Sequence, residues 1–319
     1  MTGEAYLDLP SFALGECRRT LEETAALGEL RSSVPALRAA GFSTHFVCGP
    51  GTRAYDLARR AIEPLRGELA DVDAIVYATT LPCNGNTGDE RRFGERGDVK
   101  HLMDFPASRL QAELGLSRAQ VFGLNQQACT GFLGAVTFAG YVLAGEPTFA
   151  RVLCLTADRF PEGASYEQAY NVISDGAAAC LVQREPTPDG FRILGSHAIT
   201  NGAMSFASDD ETMGLFFTYT HRLIQEALAK AGLTIDSLRW VVAQNTNSAA
   251  WRVLSSLLRV DFERVWFPTL GTVGHMISGD NIVNLRQLIA EGRVQSGDKL
   301  MLVMAGYGLN WRCLLLEKV

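Results

Sequence analysis

The chain has 319 residues, 47% of them hydrophobic and only 11 of them proline, enough for two ordinary domains or one large two-halved unit with a sizeable core. Its 29 Lys and Arg stand against 35 Asp and Glu, a net charge of −6, so composition advertises neither nucleic acid nor an anionic membrane as partner. No cationic segment leads into an apolar run after Met1-Thr2-Gly3-Glu4-Ala5-Tyr6, and no window approaches about 18 continuous apolar residues, so a cytoplasmic protein is expected. Seven Cys, at 17, 48, 83, 129, 154, 180 and 313, include no CxxC pair and read as reduced thiols, without a disulfide framework or metal site.

In chain order, the first strong signal is Ala54 onward, where Leu57, Ala58, Ala61, Ile62 and Leu65 fall at helical spacing, followed by the strand Ala74-Ile75-Val76-Tyr77-Ala78. The balanced charges of Asp89 to Arg96 read as a solvated loop, in which Arg91, Arg92 and Arg96 are either simply hydrated or set to meet phosphates. Next comes Gly123-Leu124-Asn125-Gln126-Gln127-Ala128-Cys129-Thr130-Gly131-Phe132, a polar loop that places one thiol where a long Ala/Gly-rich helix begins. Unpaired amide N–H groups and the positive end of the dipole at such a terminus favour thiolate, the form that attacks thioesters. The plainer alternative is a buried cysteine acting as a small hydrophobe.

That helix is expected to end at Gly145 and lead to the strand Val152-Leu153-Cys154-Leu155-Thr156. Asp175-Gly176 reads as a turn before the strand Ala179 to Val182. A second helix-strand pair, His221 to Ala231 and then Trp240-Val241-Val242-Ala243, ends at Gln244-Asn245-Thr246-Asn247 and repeats the order seen at Ala54 to Thr80. Ile282 to Gly292 with Leu300 to Met304 likewise repeats the helix after Cys129 and its strand. Such a duplication, with near-continuous apolar strands, implies an α/β fold of mostly parallel or mixed sheets covered by helices, five-layered and written twice. The halves are read as residues 1–185 and 186–319. Aligning their strands sets Gly274-His275 almost opposite Ala128-Cys129, so both helix entrances converge on one site. Of the other histidines, His45 and His197 read as satisfied core or surface groups, while His221, opening its helix, and His101 read as solvated.

The strand end Ala78-Thr79-Thr80, the Gln127-Ala128-Cys129-Thr130-Gly131-Phe132 element, Ser174-Asp175-Gly176-Ala177-Ala178-Ala179, the run Glu291 to Asp298 and the closing Gly306-Tyr307-Gly308 together resemble the thiolase-like superfamily, within it the ketoacyl-ACP synthase III branch. The resemblance implies a Cys129 that accepts an acyl group from a CoA or carrier-protein thioester, with no other cofactor, in a homodimer whose Cys83 loop crosses the interface. The family's His and Asn positions are rewritten: Gln244 stands in place of the His, and His275 in place of the Asn. One relocated imidazole suits deprotonation of an alcohol or amine acceptor better than stabilisation of an enolate. Members that resemble this pattern are acyltransferases of natural-product (antibiotic) biosynthesis.

The expected site is therefore Cys129 as nucleophile and His275 as base, with Asp280 either orienting the imidazole or capping the Ile282 helix. The resemblance suggests an oxyanion site of the Cys129 N–H and the Gly306-Tyr307-Gly308 turn, with Gln244 and Asn245 as secondary groups. Asn247 is either a contact of the pantetheine arm or a cap, and Ala249 replaces the family's Arg, which keeps free CoA esters among the donors. Two alternatives stay open: decarboxylative carbon–carbon condensation, in which Gln244 or Asn245 and His275 hold the malonyl carbonyl, and a non-catalytic partner subunit.

Overall fold

A computed structural model describes residues 4–81, 90–103 and 105–319, and among these described residues it has fourteen strands and ten α-helices. In chain order they are β1 (Tyr6–Leu14), β2 (Cys17–Thr20), α1 (Leu21–Ala26), α2 (Val34–Ala39), β3 (Thr44–Val47), α3 (Ala54–Ile62), β4 (Ala74–Ala78), α4 (Glu90–Arg96), α5 (Pro106–Glu113), β5 (Gln120–Leu124), α6 (Gly131–Gly145), β6 (Arg151–Asp158), β7 (Glu167–Gln168), β8 (Asn171–Val172) and β9 (Gly176–Gln183). Then come β10 (Phe191–Thr200), α7 (Asp209–Ala231), β11 (Trp240–Val242), α8 (Ser248–Leu258), β12 (Val265–Trp266), α9 (Leu270–Val273), α10 (Asp280–Ala290), β13 (Lys299–Gly306) and β14 (Asn310–Lys318).

Ten strands form one mixed sheet in the order β12-β11-β13-β14-β10-β1-β9-β6-β4-β5. Read outward from the β10–β1 junction, the two flanks are the same. On one side β1–β9 and β9–β6 are antiparallel, then β6–β4 and β4–β5 parallel. On the other, β10–β14 and β14–β13 are antiparallel, then β13–β11 and β11–β12 parallel.

Side-chain alternation along the strands separates the layers. Ala74, Val76 and Ala78 of β4 turn inward with Val242 of β11 and Leu300, Leu302 and Met304 of β13, and all pack on α6 and α10 in one core shared by both halves. Ile75 and Tyr77 turn the other way, onto α3 and α5. Val241, Met301 and Val303 turn outward onto α7 and α8. Helix, sheet, helix, sheet, helix is the five-layered α/β arrangement the duplication implied.

Local chemistry sets the ends. A Ser208/Glu211 capping box starts α7, and Gly232, left-handed at φ 65°, stops it. Helix α7 begins at Asp209, so His221 sits mid-helix instead of opening it. The charged stretch read as a loop is helical as α4, with exposed side chains from Arg91 onward. By length and composition Ala128–Gly145 could cross a membrane, but here it is the central helix between the sheets. Asp175 stands at the turn before β9, buried, its carboxylate accepting the Cys48 N–H at 2.7 Å, the Phe160 N–H at 2.8 Å and the Tyr166 hydroxyl at 3.1 Å. Cys83, the expected interface residue, lies outside the described residues.

Candidate active site

Two short turns at the entrances of α6 and α10 build the site. Cys129 is the middle residue of a 3-10 turn, Ala128–Thr130, that runs straight into α6. Ala128 before it has φ 42°, a left-handed backbone that costs an alanine of order 1 kcal/mol and swings the next side chain off the helix axis.

His275 comes from the second half and is held at its backbone by the first. Its N–H donates to Val172 O at 2.8 Å, and its carbonyl accepts the Ser174 N–H at 2.9 Å, so Val172–Ser174 grips it like a strand. Ser174 also donates its hydroxyl to Val273 O and accepts the Phe46 N–H at 2.8 Å. Gly274 is obligatory there: its φ is 74°, and a Cβ on it would lie 2.7 Å from Val172 O.

So placed, the imidazole bridges the halves. Nε2 lies 3.3 Å from Cys129 Sγ, and Nδ1 lies 2.6 Å from Asp280 Oδ2. Asp280 is the first residue of α10, whose N-cap is Gly279, and its carboxylate reaches back instead of capping. Oδ2 also accepts the Asn245 N–H at 2.8 Å, and Oδ1 the Met276 N–H at 2.6 Å. With three donors and no exposure, Asp280 has one carboxylate geometry available, and it fixes the ring's tautomer and tilt. Burial opposes charge on His275, but the Asp280 carboxylate and the Cys129 sulfur, each also hydrogen-bonded to the ring, raise its pKa from 6.5 to about 10. At neutral pH the ring is an imidazolium against the sulfur, the pairing that favours thiolate.

The closing turn abuts the nucleophile's backbone. A Cβ on Gly306 would lie 2.7 Å from Cys129 N and 3.2 Å from Ala128 Cβ, so only glycine lets β13 end there. Gln244 Oε1 accepts the Ala305 N–H at 3.0 Å, which leaves its amide nitrogen as the end on offer to a ligand. Tyr307 donates its hydroxyl to Asp209 Oδ1 at 3.1 Å, and burial followed by the Asp209 charge raises its pKa, so the phenol stays neutral.

Two expected groups do other work. Asn245 turns its amide away from the cavity, donating to Thr269 Oγ1 at 2.9 Å and Gly274 O at 2.7 Å while accepting from Asn284 at 2.9 Å. It braces the His275 loop and cannot also hold a substrate carbonyl. Asn247 caps α8, its Oδ1 accepting the Ala249 N–H at 2.9 Å, the turn-and-cap alternative to a pantetheine contact. Sequence reasoning passed over Ser174, Ser278 and the Asn281/Asn284 pair. Asn281 and Asn284, fully buried at i and i+3 of α10, donate to the Val242 and Ala243 carbonyls at 2.9 and 3.0 Å, and two amides among the apolar residues of one helix were a legible signal.

A cavity of about 400 Å³ opens on Cys129 and His275. Its wall is mostly apolar, with Phe160, Ile173, Met213, Phe216, Ile277 and Trp311 prominent, a size and character suited to an acyl chain or a small acceptor. Outside this site two further histidines are held by hydrogen bonds within the fold. His45 is buried between Thr24 Oγ1 at 2.6 Å and Ile173 O at 2.7 Å, and His197 lies 2.6 Å from Glu226 and 2.9 Å from Lys230.

Comparison with known proteins agrees with this architecture. Family models described as 3-oxoacyl-[acyl-carrier-protein (ACP)] synthase III and its C-terminal part match residues 124–202 and 228–318, together just over half of the chain. The beta-ketoacyl-[acyl-carrier-protein] synthase III of Microcystis aeruginosa is 26% identical over 81% of this chain and 80% of its own, and that of Deinococcus deserti 28% over 91% and 83%. Among solved structures, the Aquifex aeolicus 3-oxoacyl-[acyl-carrier-protein] synthase III superposes with a TM-score of 0.80 at 19% identity, covering 98% of this chain and 99% of that one. ChlB3, named an acyltransferase, superposes at 0.81 with 18% identity, covering 99% and 98%. The chain belongs to the 3-oxoacyl-[acyl-carrier-protein] synthase III family of thiolase-like enzymes, whose chemistry is acyl transfer or condensation.

Proposed function

We propose that this protein is an acyltransferase that takes an acyl group from a CoA or acyl-carrier-protein thioester onto Cys129 and passes it to an alcohol or amine, in the biosynthesis of a secondary metabolite. The observation that carries the reading is the single imidazole of His275, 3.3 Å from the sulfur on one side and 2.6 Å from a buried carboxylate on the other.

The proton balance of a two-step transfer closes on that ring. The Cys129 thiolate attacks the thioester carbonyl, and the tetrahedral oxygen is received by the Cys129 N–H and the backbone around Gly306. Collapse breaks the carbon–sulfur bond to the carrier, and the departing thiolate takes the proton of the His275 imidazolium. Acylation has now removed the sulfur charge that helped raise the ring's pKa, so the neutral imidazole is a competent base. It takes the proton of the acceptor O–H or N–H as that atom attacks acyl-Cys129, and the ester or amide leaves with thiolate and imidazolium restored.

A second reading, decarboxylative condensation, has its own support, since the curated relatives are named beta-ketoacyl synthases. In it the Gln244 amide and His275 hold the malonyl carbonyl. Intact-protein mass spectrometry after exposure to acyl-CoA and acyl-carrier-protein thioesters should show an adduct on Cys129 that alcohols or amines discharge. Carbon dioxide release from a malonyl thioester with a carbon–carbon product would overturn the transfer reading, and no adduct with any thioester would favour a non-catalytic partner. A homodimer belongs to the same proposal: among the described residues β5 has a strand neighbour on one side only and leaves Val121 exposed, an edge that a second copy would cover.

A further inference from the structure

The duplicated fold gives Cys129 a counterpart, and it is not His275. Each half runs from a three-residue 3-10 turn into its central helix, Ala128–Thr130 into α6 and Ile277–Gly279 into α10. The residue that opens each turn has nearly the same left-handed backbone, φ 42° at Ala128 and φ 43° at Ile277. The middle residues therefore correspond, Cys129 in one turn and Ser278 in the other, three positions past the histidine that strand alignment set opposite the cysteine.

Ser278 is 2% exposed, and its hydroxyl donates to Ala128 O at 3.0 Å. That carbonyl also accepts the Gly131 N–H. The Ala128 carbonyl and the Cys129 N–H belong to one peptide group, and the N–H end is the atom against which a Gly306 Cβ would press. An amide whose oxygen already accepts hydrogen bonds is more polarised, and its N–H becomes the stronger donor. The same bond holds the peptide plane of a residue whose left-handed φ would otherwise relax.

We infer that Ser278 is a positioning residue of the oxyanion site, acting through the Ala128–Cys129 peptide to orient and strengthen the Cys129 N–H. The inference rests on the acyl-Cys129 reading. A buried hydroxyl needs a partner in any protein, so the test must separate this role from simple support of the fold. Two reactions of one sulfur do so: acylation by a thioester passes through an oxyanion, whereas alkylation by iodoacetamide displaces iodide at a saturated carbon and does not.

In Ser278→Ala, single-turnover acylation of Cys129 followed by intact mass is expected to slow about tenfold, a fraction of what loss of a whole oxyanion donor costs. The thioester concentration for half-maximal rate should stay put, and alkylation should remain within about twofold. Ser278→Thr, which keeps the hydroxyl, should restore acylation. Ser278→Cys, with a weaker donor in similar volume, should fall between and serves if the alanine variant does not fold. Equal slowing of both reactions would show mere support of the sulfur, and unchanged acylation in the alanine variant would show no role; either overturns the inference. A wild-type chain that takes no acyl group from any thioester overturns the function reading instead, and this role with it.

Discussion

Asp280 decides the charge state of the site. Its carboxylate holds the His275 proton against burial, and the sulfur shares in the result. Removing that charge takes away the largest influence that opposes burial, so Asp280→Asn should lower the ring's pKa and weaken the ion pair with Cys129 at neutral pH. Alkylation of Cys129 by iodoacetamide at pH 7 is expected to slow by at least about tenfold as the sulfur loses its cationic partner. An unchanged rate would mean that the thiolate owes nothing to the imidazolium. The sign on the alkaline side is also fixed: the protonated ring is present below a pKa of about 10 and lost as pH rises through it. Acylation by a thioester, which needs that proton for its leaving group, should decline there, while alkylation, which needs only the thiolate, should not. Single-turnover rates for both reactions between pH 7 and 11 test the pair.

At the scale of elements, the position of His275 depends on a loop that both halves grip. Gly274→Ala adds a methyl against Val172 O at a left-handed φ, with His45 Cβ next at 3.4 Å, so the grip must open. A loss of about 2 kcal/mol of stability is expected from the backbone and contact strain, visible as a lower Tm. A larger loss of acyl transfer than of alkylation should accompany it, because the base moves while the sulfur stays. These loops were also the limit of what the sequence could disclose. Period-3.6 and apolar patterns exposed α3, α6, β4, β6, β11 and β13, since each buries a continuous face. Strands β1, β10 and β14 went unread, although β1 and β10 join the two flanks of the sheet and β14 lies beside them. Cys129, His275 and Asp280 were legible from residue type and spacing. The separate fates of Asn245 and Asn247, two positions apart, were not: one faces the buried Asn284 and the other a helix terminus, a difference only tertiary packing creates.

Over the whole molecule, the outer wall of the first half is tied to the active site through His45. Its Nδ1 donates to the carbonyl of Ile173, the residue between the two that hold His275, and its Nε2 faces Thr24 of α1. Burial lowers its pKa from 6.5 to about 4, so the folded state keeps the ring neutral while the unfolded chain takes a proton. The unfolded state therefore binds more protons between those two values, and stability present above pH 6.5 is lost as pH falls toward 4. The full difference is about 3 kcal/mol, a large share of a typical folding free energy. A His45→Gln variant, which keeps an amide donor for Ile173 O but has no proton to gain, should start less stable at neutral pH through imperfect packing. Its stability should then fall less steeply than that of the parent between pH 6.5 and 4. Urea unfolding of both proteins at half-unit pH steps gives the difference of slopes directly, and other titrating groups, common to the two chains, cancel in it. Parallel curves would mean that the buried ring is not the source of the acid sensitivity.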